Sequence, residues 1–284
     1  MPPTIETERL VLVLDAPVLK TLRAVGGASE YRAKAVAGWE ALDEALAMAA
    51  PSTIAVVDPY DGRPPSEGLS PRVPELIRRH PMTPVVVAMG LEDPIVEHVA
   101  EVLAWGVAEV VDLDLENTPT ALVPRLRGAH ARPIKRRIDS ILSPYASTDA
   151  AMLLHAACEV AVDGGGAPEL ARRFGVETRT VAGWCRREAL PPPRRLLAWT
   201  RVLLAAVLLE EGERPVLNAA RGACYANDNA LRRAMRDLVG GDPSTMPRET
   251  IFARATERFN DELRELREEV RARRRNKRLS MRDL

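Results

Sequence analysis

Between residues 10 and 130, short apolar runs alternate with stretches of helical spacing. The runs are Leu10–Leu14, Tyr31–Val36, Thr53–Val57, Pro84–Ala88 and Ala108–Val111. Helical periodicity falls near residues 17–26, 39–49, 70–80, 92–105 and 117–129. Five short strands, each followed by a helix, predict a doubly wound five-stranded parallel sheet covered on both faces. Beyond residue 148 the apolar patterns are helical, which predicts an all-α second domain.

The stretch from Pro168 to Arg187 reads as two short helices joined by a tight turn. Pro168 suits the first turn of a helix, where no backbone N–H is needed. Leu170, Ala171 and Phe174 share one face, and Gly175 supplies the left-handed residue that stops the helix. Val181, Trp184 and Cys185 form the inner face of the second helix. Thr178, Arg179, Ala182 and Arg186 are left outside. That grammar is a helix-turn-helix, whose second helix lies in the DNA major groove; an ordinary helical hairpin is the competing reading. Residues 192–211 form a strong helix, apolar around most of its surface, and therefore buried between neighbours.

After that helix the first motif recurs. A short helix runs to Arg221, a turn passes through Cys224 and Tyr225, and a second helix starts near Asn229. Leu231, Ala234, Met235 and Leu238 face inward; Asn229, Arg232, Arg233 and Arg236 face outward. Two such units joined by a core helix resemble the DNA-binding domain of AraC-type transcription regulators, over roughly residues 149–248. The ending Leu238-Val239-Gly240-Gly241-Asp242-Pro243-Ser244 matches that family's Gly-x-x-Pro-Ser closure. The resemblance implies two recognition helices in successive major-groove faces. DNA-contacting candidates are Thr178, Arg179, Thr180, Arg186, Asn227, Asn229, Arg232, Arg233 and Arg236. The outward arginines predict that Arg232 or Arg236, with Asn229, faces base edges, and that Arg233 is mainly a phosphate or structural contact. Three positions depart from the family: Cys224 replaces a turn Gly, Leu231 and Met235 replace aromatic residues, and Gly183 stands where Arg is frequent. The second unit is therefore expected to supply more of the base contacts.

Ligand and chemical groups of such parallel sheets gather at the strands' carboxyl ends. Asp15, Asp58, Asp112 and Asp114 lie there. The segments WEALDEAL, TIAVVDPYDG, PVVVAMG and GVAEVVDLD resemble a response-regulator receiver domain in order and spacing. The resemblance implies that Asp58 is the phosphoacceptor position and that Asp15 and Asp58 are the candidate magnesium ligands. Leu14 stands in for the second acid of the magnesium pair. Met89 occupies the hydroxyl position, and Asp112-Leu113-Asp114 follow the fifth strand where a Lys is expected. Phosphotransfer needs cations against the developing charge, so this domain is expected to serve dimerisation or signal input instead.

Charge sharpens the division. Residues 1–130 hold 11 Lys and Arg against 19 Asp and Glu, a balance of −8; residues 131–284 hold 29 against 21, a balance of +8. A basic half suggests a polyanionic partner. Cys158, Cys185 and Cys224 lack CxxC spacing and read as buried thiols. The isolated histidines His80, His98, His130 and His155 read as surface or helix-end residues. Gly164-Gly165-Gly166 lacks a phosphate-loop ending. The start, MPPTIETERL, carries no secretory pattern, and no apolar run is long enough to span a membrane.

The expected organisation is a receiver-like α/β domain over 1–130 and a basic linker with a helical middle over 131–148. A double helix-turn-helix domain follows over 149–248, then a helix and basic tail over 249–284. The apolar stripe Ile251, Ala255, Phe259, Leu263, Leu266, Val270 fits packing on its own domain or on a second chain. The tail RARRRNKR, with six cations in eight residues, suits non-specific phosphate contact. The reading is a cytoplasmic, homodimeric transcription regulator that binds double-stranded DNA. It has no enzymatic activity, no cofactor and no membrane partner. An upstream kinase or protein partner is admitted. Two alternatives stay open: a protein–protein adaptor that has lost DNA reading, and a response regulator controlled by phosphorylation of Asp58.

Overall fold

Near-continuous apolar runs bounded by turn residues suit strands buried on both faces, and the first unit is built from five of them. The computed structural model describes residues 9–14, 16–25, 31–49, 53–90, 96–116, 118–142, 147–210 and 215–280. The chain divides into two units, Met1–Pro133 and Ile134–Leu284. In the first, β1 (Arg9–Val13), β2 (Tyr31–Ala35), β3 (Ile54–Val57), β4 (Val85–Met89) and β5 (Glu109–Asp112) form one sheet in the order β2-β1-β3-β4-β5. Every pairing is parallel, with Val11 opposite Ile54, Val56 opposite Val86 and Ala88 opposite Val111. This is the doubly wound order whose switch point lies between β1 and β3.

Alternate strand residues feed opposite layers. Val11, Val13, Val56, Val86 and Ala88 pack with Val18 and Leu22 of α1 (Ala16–Val25), and with Leu122 and Leu126 of the later helix at residues 119–130. Leu12, Ala55, Val57, Val85 and Val87 pack with Leu42 and Leu46 of α2 (Trp39–Met48) and Val73 and Leu76 of α3 (Arg72–Arg79). Val102 of α4 (Val96–Trp105) joins the same layer, and α5 (Pro119–His130) closes the first. The expected strands and helices stand within a few residues of their places; residues 92–95 of the expected fourth helix lie outside the described residues. Strand β2 is a sheet edge, where exposed Arg32 and Lys34 disfavour pairing with another chain.

The described elements of the second unit are all helices. The stretch expected as a linker is largely a packed helix, α6 (Arg132–Leu142). Ile134 and Ile138, four residues apart, are buried. Its charged positions engage the second unit as well. Lys135 pairs with Glu159 of α7 (Thr148–Val162), Asp139 bonds His155 at 2.6 Å, and the Arg137 guanidinium lies 5.7 Å from the Phe252 ring centroid. The basic, Pro-flanked sequence hid this two-residue apolar face; residues 143–146 lie outside the described ones. Ser147 caps α7, its Oγ accepting the Ala150 N–H at 3.1 Å.

Two helix pairs follow around a central helix. The first is α8 (Ala167–Arg173) and α9 (Thr178–Arg187); the central helix is α10 (Pro193–Glu210). The second pair is α11 (Val216–Gly222) and α12 (Asp228–Val239), and α13 (Arg248–Ser280) closes the unit. Helix α10 is buried along almost its whole length, from Leu196 and Leu197 to Leu208 and Leu209. The first half of α13 packs on it through Ile251, Ala255, Phe259 and Leu263, all buried. The Trp199 and Phe259 ring centroids are 5.3 Å apart, and Glu262 accepts the Trp199 Nε1–H at 2.7 Å while pairing with Arg195. The apolar stripe of α13 therefore serves its own unit; Leu266 and Val270 are only half-buried. Among the described residues, no helix is long and apolar enough to cross a membrane.

Candidate functional site

The two helix pairs share one turn geometry. In the first, Gly175 has φ +64, its N–H reaches Arg172 O at 3.0 Å, and the Val176 N–H reaches Ala171 O at 3.1 Å. In the second, Cys224 has φ +57, its N–H reaches Arg221 O at 3.0 Å, and the Tyr225 N–H reaches Ala220 O at 2.8 Å. Both turns thus close a helix with a left-handed residue. The second does so with a side chain, at a steric cost that glycine avoids. The Cys224 thiol donates to Val162 O at 3.3 Å. Each turn throws the chain into a helix with a buried i, i+4 pair: Val181 and Cys185 in α9, Leu231 and Met235 in α12. Burial pushes the Cys185 thiol up to about 11 and the Cys158 thiol up to about 12, so both stay protonated and inert.

Those buried pairs fix which side chains point out. On α9, Thr178, Arg179 and Arg186 are exposed and Thr180 is half-buried. Arg179, 86% exposed, meets Glu177 at 2.8 Å, a solvated pair of little strength. Among the described residues, Arg186 has no ion-pair partner. On α12, Asn229, Arg233 and Arg236 are exposed. Arg233 has no ion-pair partner among the described residues. Arg236 donates to Arg232 O at 3.4 Å and lies close enough to Asp242 to act on its charge. Two further candidates are occupied within the fold. Asn227 is the N-cap of α12, its Oδ1 accepting the Ala230 N–H at 2.9 Å. Arg232 is half-buried, pairs with Asp242 at 3.2 Å and Asp228 at 3.5 Å, and bonds the Ser244 hydroxyl.

Arg232 is thus engaged within the fold. Its side chain ties α12 to the Asp242-Pro243-Ser244 turn rather than standing free for base edges. Asp242 is built for this: it accepts the Ser244 hydroxyl at 2.6 Å and the Ser244 N–H at 2.9 Å, which together with Arg232 and Arg236 hold its carboxyl below the usual range. Arg187, 61% exposed at the end of α9, and exposed Arg221 on α11 enlarge the basic surface beyond the candidates of α9 and α12. Arg187 follows Gly183 by four residues on the outward side of α9, so helical spacing signals it, whereas Arg221 lies on α11, outside the recognition helices.

At the carboxyl ends of the strands the chemistry is different. Asp58 follows β3, and both carboxylate oxygens are taken by backbone N–H groups, Oδ1 by Tyr60 at 2.9 Å and Oδ2 by Gly62 at 2.7 Å. The turn they stabilise contains Asp61 at φ +59, which accepts the Trp39 Nε1–H at 2.7 Å. Met89 is buried. Asp112 accepts the Asp114 N–H at 2.9 Å, and Glu116 takes the Asp112 N–H and pairs with Arg125. The acids after β5 thus organise their own loop. Among the described residues, no three histidines, cysteines or acids converge to hold a metal ion. Asp15, the other magnesium candidate, lies outside the described residues.

No family model and no curated protein matches the chain. Among solved structures it is similar to full-length FixJ from B. japonicum, at 12% identity and a TM-score of 0.32, over 84% of this chain and 98% of that one. So slight a likeness carries neither a fold nor a function across.

Proposed function

We propose that the protein is a DNA-binding regulator of transcription with no catalytic activity, in which the second unit is an AraC-type double helix-turn-helix. The observation that carries this reading is the pairing of two equivalent turns, at Gly175 and Cys224, each presenting a helix with outward arginines. Arg186 and Arg233, which lack ion-pair partners among the described residues, are free for phosphate oxygens or guanine edges. Asn229 and Arg236 stand on the same side of α12 as Arg233. Arg232 is a structural tie, so base reading by the second unit falls to Asn229 and Arg236, with Arg233 on phosphate. The basic end of α13 adds sequence-independent attraction.

The doubly wound unit serves, in this proposal, for homodimerisation or signal input rather than phosphotransfer. Two backbone amides already hold the Asp58 carboxylate, and no hydroxyl stands at Met89. The test is a duplex-binding titration by fluorescence anisotropy over a range of salt. A DNA-binding regulator gives a log affinity that falls linearly with log salt, and loses slope when residues 271–284 are removed. Salt-independent or undetectable binding favours the adaptor reading, in which the same helices bind protein.

A further inference from the structure

Gly183 stands in the interior of α9, where glycine is the poorest helix former after proline. Nothing within its own unit asks for it. A Cβ built at 183 meets no atom within 4 Å, and its φ is not left-handed. The other glycines nearby differ. Gly175 and Gly240 hold φ +64 and +77; at Gly165 a Cβ would stand 2.9 Å from Val160 Cγ1, and at Gly241 it would stand 2.5 Å from Met246 Sδ. Gly183 lies four residues after Arg179 and three before Arg186, on the side opposite the buried Val181 and Cys185. Counting from the buried pairs, the equivalent position in α12 is Arg233.

We infer that Gly183 is where α9 meets the DNA duplex with its own backbone, seating this helix deeper in the groove than α12. The inference rests on the DNA-binding reading above and assigns the two recognition helices different modes. A helix without a side chain at its centre approaches a surface more closely by the thickness of that side chain. Arg179 and Arg186 lie about 6 Å and 4.5 Å along the axis on either side, at 1.5 Å per residue. That spacing lets them hold phosphates flanking the contact. In α12 the corresponding reach is made by Arg233 instead.

The test uses the full-length protein, with Gly183→Ala and Gly183→Leu measured against wild type. Binding is read by anisotropy at fixed salt, on the pool of duplexes that wild type itself recovers from random-sequence DNA. Melting is followed in parallel. Replacing a half-buried helical glycine whose Cβ position is open by alanine should raise Tm by about 2–4 °C. Affinity should fall in both variants, and in the leucine variant by about five- to a hundredfold, the range for forcing extra carbons into a packed contact. A raised Tm with unchanged affinity overturns the inference while leaving DNA binding intact. A lowered Tm overturns it too, because the fold itself would then need glycine. If wild type recovers no DNA, the DNA-binding reading fails first, before any variant is compared, and the inference falls with it.

Discussion

Gly175→Ala isolates the left-handed turn of the first helix pair. At φ +64 a non-glycine residue is disfavoured by about 1–2 kcal/mol. No atom lies within 4 Å of the added Cβ, so packing contributes nothing to the change. The substitution also restricts the unfolded chain, which offsets about 0.4–1 kcal/mol. The net loss is therefore about 1 kcal/mol, or a fall in Tm of about 2–4 °C for a unit of this size. Trp184 reports on the event directly, since its ring meets Phe174 edge-on at 5.6 Å beside the turn. Thermal unfolding followed by tryptophan fluorescence measures the shift. Cys224→Ala is the companion: that position already carries a side chain at φ +57, so the thiol and its contact to Val162 O are lost while the backbone keeps its geometry. It should change stability by less than about 1 kcal/mol. If Gly175→Ala proves neutral or stabilising, residue 175 does not hold a left-handed turn, and the equivalence of the two helix pairs is refuted.

Arg232→Ala should lower the melting temperature and spread its effect over all DNA sequences, whereas Arg236→Ala should leave melting unchanged and relax preference at one base position; equal melting shifts would show that all these arginines are alike. Phe259→Ala should cost about 3–5 kcal/mol in urea unfolding, as a fully buried aromatic does; a loss under about 1 kcal/mol would mean that α13 is not docked on α10. Asp43 is held below its usual value of 3.8 chiefly by the His80 hydrogen bond and then by Arg79. A depressed carboxyl stabilises the fold above that usual value and loses this contribution as pH falls through the lowered one. The stability gap between wild type and Asp43→Asn should therefore close on acidification below about pH 4; a gap that widens there would contradict the assignment.

The strands were legible because buried parallel strands are apolar on both faces, so Thr53–Val57 and Pro84–Ala88 announce themselves without reference to the rest of the chain. The turn at Cys224 was legible through its likeness to the turn at Gly175. The helical middle of the 131–148 stretch is legible but its packing is not, because only Ile134 and Ile138 mark the buried face of α6, among cations that pair with Glu159 and lie over the Phe252 ring. The partners of Arg232 are hidden for a related reason. Helical spacing sets it beside Arg233 and Arg236, but its partners Asp242 and Ser244 lie ten and twelve residues on, and only the turn after Gly240 brings them back. Asp58 illustrates the same limit. Its place after a strand was clear, yet the capture of its carboxylate by two amides depends on the positive φ of Asp61 and Gly62, which no local pattern of hydrophobicity encodes.

The central claim is that the helical unit reads DNA with two recognition helices. Recovering bound fragments from a random-sequence duplex pool, with wild type and with Arg236→Ala, tests it most directly. The account predicts a bipartite motif whose halves lie about one helical turn, 10–10.5 base pairs, apart, with Arg236→Ala relaxing one half and leaving the other. A pool that shows no shared motif, or a motif unchanged by Arg236→Ala, would contradict it.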